Sequence, residues 1–188
     1  NLGIVKKETP YGEKTSRKSI YSIEDNMFRF WYRFVPENSS IISRGAIELA
    51  YNRIAPYLSD YMGAVFEEIC KQYLWKRLLN GDSEIDFTDI GRWWGTNPKT
   101  RQQEEIDIIG SADKNTALFG ECKWRNESVD LGVLEILVER SKLFNFSKKH
   151  YYIFSKSGFT KGCIDKANEL GNVSLIAYDD ILKYNNEN

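Results

Sequence analysis

One histidine and three cysteines in 188 residues leave little material for several common chemistries. Cys70, Cys122 and Cys163 are scattered, odd in number and lack metal-ligand spacing, so they read as small core residues in a reducing cytoplasm. His150 has no serine or cysteine placed beside it by the sequence, which leaves a hydrolytic triad without support; it reads as a polar residue at the edge of a strand. No glycine-rich phosphate loop occurs, so this segment is not itself an ATPase centre. No apolar run approaches the length of a membrane span and no signal peptide leads the chain, which sets the expectation of a cytoplasmic protein with no membrane partner. A net charge of −1 argues against strong non-specific attachment to nucleic acid by the chain as a whole. Internal repeats and low-complexity tracts are also lacking.

What remains is ordinary globular material: 41% hydrophobic and 28% charged residues, enough for one domain with a small appendage. The charge is unevenly spread. Lys6, Lys7, Lys14, Arg17 and Lys18 make the start basic, Asp82 to Asp107 is acidic, and Lys142 to Lys166 is basic again through Lys148, Lys149, Lys156 and Lys161. An acidic centre between basic flanks suits a metal site with phosphate-binding edges, although solvated surfaces produce the same pattern.

The stretch from Glu104 to Trp124 concentrates the chemistry. Two short apolar runs flank Ser111-Ala-Asp-Lys-Asn-Thr116, the pattern of a β-hairpin. A turn centred on Lys114 sets Asp107 opposite Glu121 and Glu105 opposite Lys123. All four positions are odd, so alternation places them on one face, with Ile106, Ile108, Gly120 and Cys122 on the other. Three carboxylates and one ammonium on one surface suit a hard divalent cation held by oxygen ligands, with a lysine beside it to orient water or stabilise charge on a phosphate. The competing reading is a surface ion pair between Glu105 and Lys123. A slip of one residue would send every side chain to the opposite face.

Asp107 followed by Glu121-Cys122-Lys123 resembles the D…(D/E)-x-K motif of the restriction-endonuclease-like, PD-(D/E)XK superfamily, with Ile106 where the name has proline. Gly63-Ala-Val-Phe-Glu-Glu, Ile90-Gly-Arg-Trp-Trp-Gly, Phe119-Gly-Glu-Cys-Lys-Trp and Phe154-Ser-Lys-Ser-Gly-Phe extend the likeness over nearly the whole chain. Together they resemble the C-terminal domain of archaeal-type AAA ATPases, which join a P-loop ATPase, a winged helix and an endonuclease-like domain. The resemblance implies catalytic roles for Asp107, Glu121 and Lys123 and a Mg²⁺ or Mn²⁺ site made by Glu67, Asp107 and Glu121. Periodicity alone would leave Glu67 and Glu68 as solvated helix charges; the family pattern selects Glu67. It also implies nucleic acid, DNA in the first place, as a partner, together with the ATPase and winged-helix portion of a longer chain.

The remaining elements follow from pattern. Gly3 to Thr9 and Ser19 to Ser22 read as strands around a turn at Pro10 to Lys14, resembling the wing of a winged helix; Asn1 is no natural start, and an excised C-terminal fragment is expected. A wing rich in Lys can touch phosphates; the other reading is a flap packed on the next helix. Asp25 caps a helix that Pro36 stops, crowded with Phe28, Phe30, Trp31, Tyr32 and Phe34 on more than one face, so an interface is expected, with homo-oligomerisation one way to supply it. Arg44 to Ile54 is helical, Pro56 breaks it, and a long helix runs from Leu58 to Leu79. Phe87 to Trp94 is a strand with Trp93 and Trp94 on opposite faces. Lys99 and Arg101 end a polar loop, where they could meet phosphates. Val129 to Phe144 is an amphipathic helix, Tyr151 to Ser155 a strand, Thr160 to Leu170 a helix and Val173 to Tyr178 a last strand, with a frayed end from Asn185. Short turns between the first three core strands favour antiparallel neighbours, and the later strand–helix–strand units call for parallel crossovers. The expected fold is α/β: a restriction-endonuclease-like core with a mixed β-sheet flanked by helices, divided into 1–36, wing remnant and aromatic linker helix, and 37–188, endonuclease-like domain. Two functions stay open: a metal-dependent nuclease, or a non-catalytic nucleic-acid-binding or assembly module of the ATPase.

Overall fold

The computed structural model describes residues 3–14 and 17–187. Its first elements are an antiparallel ribbon, β1 (Val5–Glu8) and β2 (Ile20–Ile23), and two helices, α1 (Asn26–Ile42) and α2 (Ile47–Leu79). A five-stranded sheet follows: β3 (Asp89–Thr96), β4 (Gln103–Ser111), β5 (Thr116–Lys123), β6 (Lys148–Ser155) and β7 (Val173–Ala177), lying side by side in that order. The first three are antiparallel neighbours; β5, β6 and β7 are parallel, joined through α3 (Leu131–Ser141) and α4 (Lys161–Leu170). This is the mixed α/β arrangement, a mixed sheet flanked by helices, that the sequence led us to expect.

Alternation along the central strands builds two cores. Ile108, Leu118, Tyr152 and Phe154 pack against Phe66, Cys70, Tyr73 and Leu74 of α2. Phe119, Tyr151 and Ile153 pack on the opposite face against Leu134 and Leu137 of α3 and Cys163 and Ala167 of α4. Neighbouring tyrosines 151 and 152 therefore serve different cores, as a period of two requires. The ribbon is tied to the sheet's edge strand: Tyr11 N donates to Arg92 O at 2.8 Å, and Trp94 Nε1 donates to Lys18 O at 3.1 Å. Trp93 takes the other face, edge-on to Phe144.

Neither proline acts as the sequence suggested. Pro36 lies inside α1 and Pro56 inside α2, and the chain turns instead at Ser43–Ala46, where Gly45 adopts φ 76°. Near Pro36, side chains serve the local carbonyls: Asn38 Nδ2 donates to Phe34 O and Ser39 Oγ to Pro36 O, both at 2.8 Å. Phe34, Ile54 and Tyr61 close a third core between the two helices, and its burial outweighs the lost helix bonds. Pro56 is exposed, so Pro56→Ala should restore a backbone bond at no packing loss. We expect stability to rise by about 1–3 kcal/mol, read as a higher urea midpoint with unchanged slope.

The frayed end is also corrected. A fifth helix, α5 (Tyr178–Glu187), was not foreseen; Asp180 Oδ2 accepts from Ala177 N at 3.0 Å, and Tyr184 Oη donates to Asp82 Oδ2 at 2.7 Å. Asn1 and Asn188 lie outside the described residues. Of the aromatic helix, Phe34 is buried and Phe30 half-buried, whereas Phe28, Trp31 and Tyr32 remain exposed.

Candidate active site

The hairpin register is as read: Ile108 stands opposite Gly120, Ile109 opposite Phe119 and Ser111 opposite Ala117. Asp113 Oδ1 accepts from Asn115 N at 2.6 Å and Thr116 N at 2.8 Å, which fixes the turn. Along β5 the alternation holds, setting Cys122 toward α2 and Glu121 and Lys123 toward α3. Gly120 permits the strands to close up there, since a Cβ would stand 2.9 Å from Ile108 Cβ.

Along β4 the alternation fails. Ile109 pairs with Gly91 and Ile106 with Trp93, so Arg92 of β3 faces two residues, Asp107 and Ile108. Such a bulge re-aims the side chains on either side of it. Ile106 consequently joins the α3 core and Ile108 the α2 core, where one shared face was expected. Glu105 pairs with Arg92 while still acting on Asp107, and Glu104 accepts from Arg140 Nε of α3 at 2.8 Å. Lys123 accordingly bonds not Glu105 but Glu121, Nζ to Oε1 at 2.5 Å.

Asp107 and Glu121 are 9% and 5% exposed, which is unusual for carboxylates. Cys122 N donates to Asp107 Oδ2 at 2.8 Å, taking the carboxylate in place of a ladder bond. Burial pushes the Asp107 carboxyl up, against the pull of that bond and of Lys123. Burial and then the charge of Asp107 push Glu121 up as well. Glu121 Oε2 is buried without a hydrogen-bond donor, with Arg140 Nη1 at 3.6 Å. Lys123 is raised: burial opposes its charge, but Glu121 outweighs burial, so it stays an ammonium. Glu67 approaches from α2, with burial and then Asp107 raising it from 4.5 to about 7.

Among the described residues, no three His, Cys, Asp or Glu side chains already converge as a metal site. Asp107 and Glu121 of the expected triad carry partners of their own: Cys122 N on Asp107, and Lys123 and Arg140 on Glu121. The donor set nevertheless fits a hard divalent cation in kind, since all three offer carboxylate oxygens. The undonated, buried Glu121 Oε2 is an acceptor that such an ion would satisfy.

Residues 31–134, more than half of the chain, match DUF234, "Archaea bacterial proteins of unknown function". The chain belongs to this family. The matched span includes Glu67, Arg92, Asp107, Glu121 and Lys123 and stops before Arg140. The chain is also 33% identical over 160 residues to the Methanocaldococcus jannaschii protein MJECL04, itself uncharacterised; the match takes in 81% of this chain and 34% of that protein. The chain thus spans about a third of its relative's length. Among solved structures it is similar to AF1548, a protein of unknown function (15% identity, TM-score 0.43, 63% of this chain and 66% of that one). It is also similar to the DNA modification-dependent restriction endonuclease AspBHI (21% identity, TM-score 0.33, 61% of this chain and 28% of that one).

Within the family's matched span, Arg92 is a residue that sequence reasoning missed, as it missed Arg140 beyond the span's end. Arg140 follows the buried Leu134 and Leu137 on one helix flank, where a charge facing inward requires a carboxylate partner. Arg92 gave no such signal, because its placement depends on the bulge. Lys99 and Arg101 lie in the loop after β3, with Arg101 at φ 60°. His150 Nε2 and Ser174 Oγ are 2.9 Å apart across β6 and β7; β6 begins at Lys148 and lies between two other strands, so His150 sits within an interior strand and not at its edge.

The position of Glu67 gives a pH-dependent expectation. A carboxyl raised in the fold is stabilising when neutral, so its contribution is complete below about 4.5 and is lost as pH climbs through about 7. Wild type should lose roughly 1–3 kcal/mol between pH 5 and 8 from this group. Glu67→Gln should flatten that slope and be the more stable protein at pH 8, measured by urea unfolding across the range.

Proposed function

We propose that this centre hydrolyses phosphodiester bonds of nucleic acid, DNA in the first place. The observation that carries the reading is Glu121: a buried carboxylate with one oxygen on Lys123, the other without a donor, and a second buried carboxylate, Asp107, beside it. Asp107 and Glu121 would hold Mg²⁺ or Mn²⁺, with Glu67 completing the set from α2. When bound, such an ion supplies Lewis-acid polarisation of the scissile phosphate and charge stabilisation at the leaving oxygen.

The protein's own groups divide the remaining work. Lys123 stays protonated beside Glu121, so it orients the attacking water and stabilises charge on the phosphate instead of removing a proton. Cys122 N–H fixes Asp107, and Arg140 backs Glu121. The near-enclosed setting of both carboxylates strengthens these interactions.

The second reading is a non-catalytic module that binds nucleic acid or assembles an attached ATPase. It is favoured by the ion pairs that already neutralise Glu121 and by the exposed rings of α1, which suit a covering partner. The length of the uncharacterised relative supports a place within a longer polypeptide, and the ATPase and winged helix are the neighbours we propose.

The deciding experiment incubates the purified chain with single-stranded, duplex and branched DNA and with RNA, in Mg²⁺, Mn²⁺ or chelator. A parallel metal titration is followed by thermal melting, since an ion that binds the native state raises the melting temperature. Metal-dependent cleavage supports the nuclease. Neither cleavage nor metal-dependent stabilisation would leave only the module.

A further inference from the structure

A cavity of about 90 Å³ lies between the β1–β2 ribbon, α1, α2 and the edge strand β3. Its walls include Lys6, Arg29, Lys71 and Arg92, brought from four different elements, together with Glu8, Glu67 and Glu68. Glu67 and Arg92 also belong to the surroundings of Asp107, so the cavity adjoins the carboxylate centre. Lys123 is not among its walls.

Four cations and three carboxylates line the cavity, and the recorded bonds use few of the donors. Lys6 and Lys71 both bond a single oxygen, Glu68 Oε1, at 3.3 and 3.2 Å. Each ammonium has three N–H groups, so most of their capacity is unspent. Sharing one oxygen also keeps the two nitrogens close enough for one phosphate to bridge both. Arg29 Nε is buried without an acceptor. A buried donor left in this way is costly, and a tetrahedral oxyanion is the acceptor-rich partner that matches several cations at once.

Size and enclosure narrow the ligand. The volume admits a phosphate group and a water or two, not a nucleotide threading through. The ribbon closes one side: it is tied to β3 through Tyr11 and to α2 through Lys6. A strand reaching this cavity from the centre would end there.

We propose that this cavity is a phosphate pocket that takes the terminal phosphate of a nucleic-acid strand whose adjoining nucleotides lie over Asp107 and Glu121. The proposal rests on the nuclease reading of that centre, and it adds the requirement for a strand end. The pocket acts by binding, so it can be tested without turnover.

The test measures binding of the full chain by fluorescence anisotropy in chelator, at low salt. Three oligonucleotides of one sequence are compared: 5′-phosphorylated, 3′-phosphorylated and unphosphorylated. A phosphate at one end should tighten binding roughly tenfold, and inorganic phosphate should compete that advantage away. In the double variant Lys6→Gln, Lys71→Gln the advantage should fall below about twofold. Circular dichroism and melting check its fold, and Lys6→Gln alone, on the half-exposed ribbon, serves if the double variant melts. No advantage at either end overturns the proposal. So does an advantage that survives in both variants, including the case where all three strands weaken in proportion and the pocket holds an internal phosphate. Asp107→Asn separates the two readings: it should keep the phosphate advantage while losing cleavage. A wild type that prefers the phosphorylated end but never cleaves would keep the pocket and remove the nuclease.

Discussion

Asp107→Asn is expected to lower metal-dependent cleavage on the order of 10³-fold while the protein melts no lower than wild type. The amide oxygen of Asn can still accept from Cys122 N, so the bond that closes the hairpin survives. What disappears is the charge a hard cation requires. Without metal, that charge is a burden: Asp107 is 9% exposed, and it raises both Glu67 and Glu121. Its removal should therefore lower both neighbours, moving the Glu67 transition below about 7 and flattening the loss of stability with rising pH. Three readouts follow from one change: cleavage falls, metal no longer raises the melting temperature, and the pH profile of urea unfolding shifts to lower pH. Cleavage undiminished in Asp107→Asn would locate the activity in a contaminant or at another site. Cleavage lost together with the native near-ultraviolet signal would mean only that the hairpin had come apart.

The hairpin was legible because its evidence is local. Apolar runs on both sides of Asp113-Lys-Asn115 and the Asx geometry of Asp113 determine which residues pair, and Ile108 opposite Gly120 follows. The bulge was not legible, because it arises from how β4 meets β3, a strand separated from it by a loop. Parity from the turn predicted that Glu105 and Asp107 share a face; one extra residue opposite Arg92 sent Glu105 to a different partner. The prolines failed for a related reason. Their cost is local, but Phe34, Ile54 and Tyr61 close a core that no window of the sequence displays. Asp107, Glu121 and Lys123 could be grouped from sequence because their motif lies within one hairpin, whereas Arg140 and Arg92 approach them from other elements.

Lys123→Ala is expected to slow cleavage roughly 10²–10³-fold and, unlike Asp107→Asn, to destabilise the fold in a way that depends on pH. Lys123 Nζ lies 2.5 Å from Glu121 Oε1, and Glu121 is 5% exposed. Removing the ammonium leaves a buried carboxylate whose remaining cation, Arg140, is 3.6 Å from the other oxygen. An uncompensated buried charge is costly, although Lys123 is partly solvated, so about 2 kcal/mol is expected at pH 8. The sign with pH follows from Glu121. Burial and Asp107 already raise it, and losing Lys123 raises it further, so the variant takes up a proton at a higher pH than wild type. Once Glu121 is neutral in both proteins, little charge remains for the lysine to stabilise, and the gap should narrow toward acid. Lys123→Met, which keeps most of the stem, should show the same pH dependence with a smaller packing loss. Urea midpoints of the three proteins from about pH 3 to 8, a range that spans the ordinary carboxyl value and the values above it, give the measurement. A gap that stays constant over that range would mean that Lys123 acts through packing, and its assignment as the charge that serves Glu121 and the phosphate would fall with it.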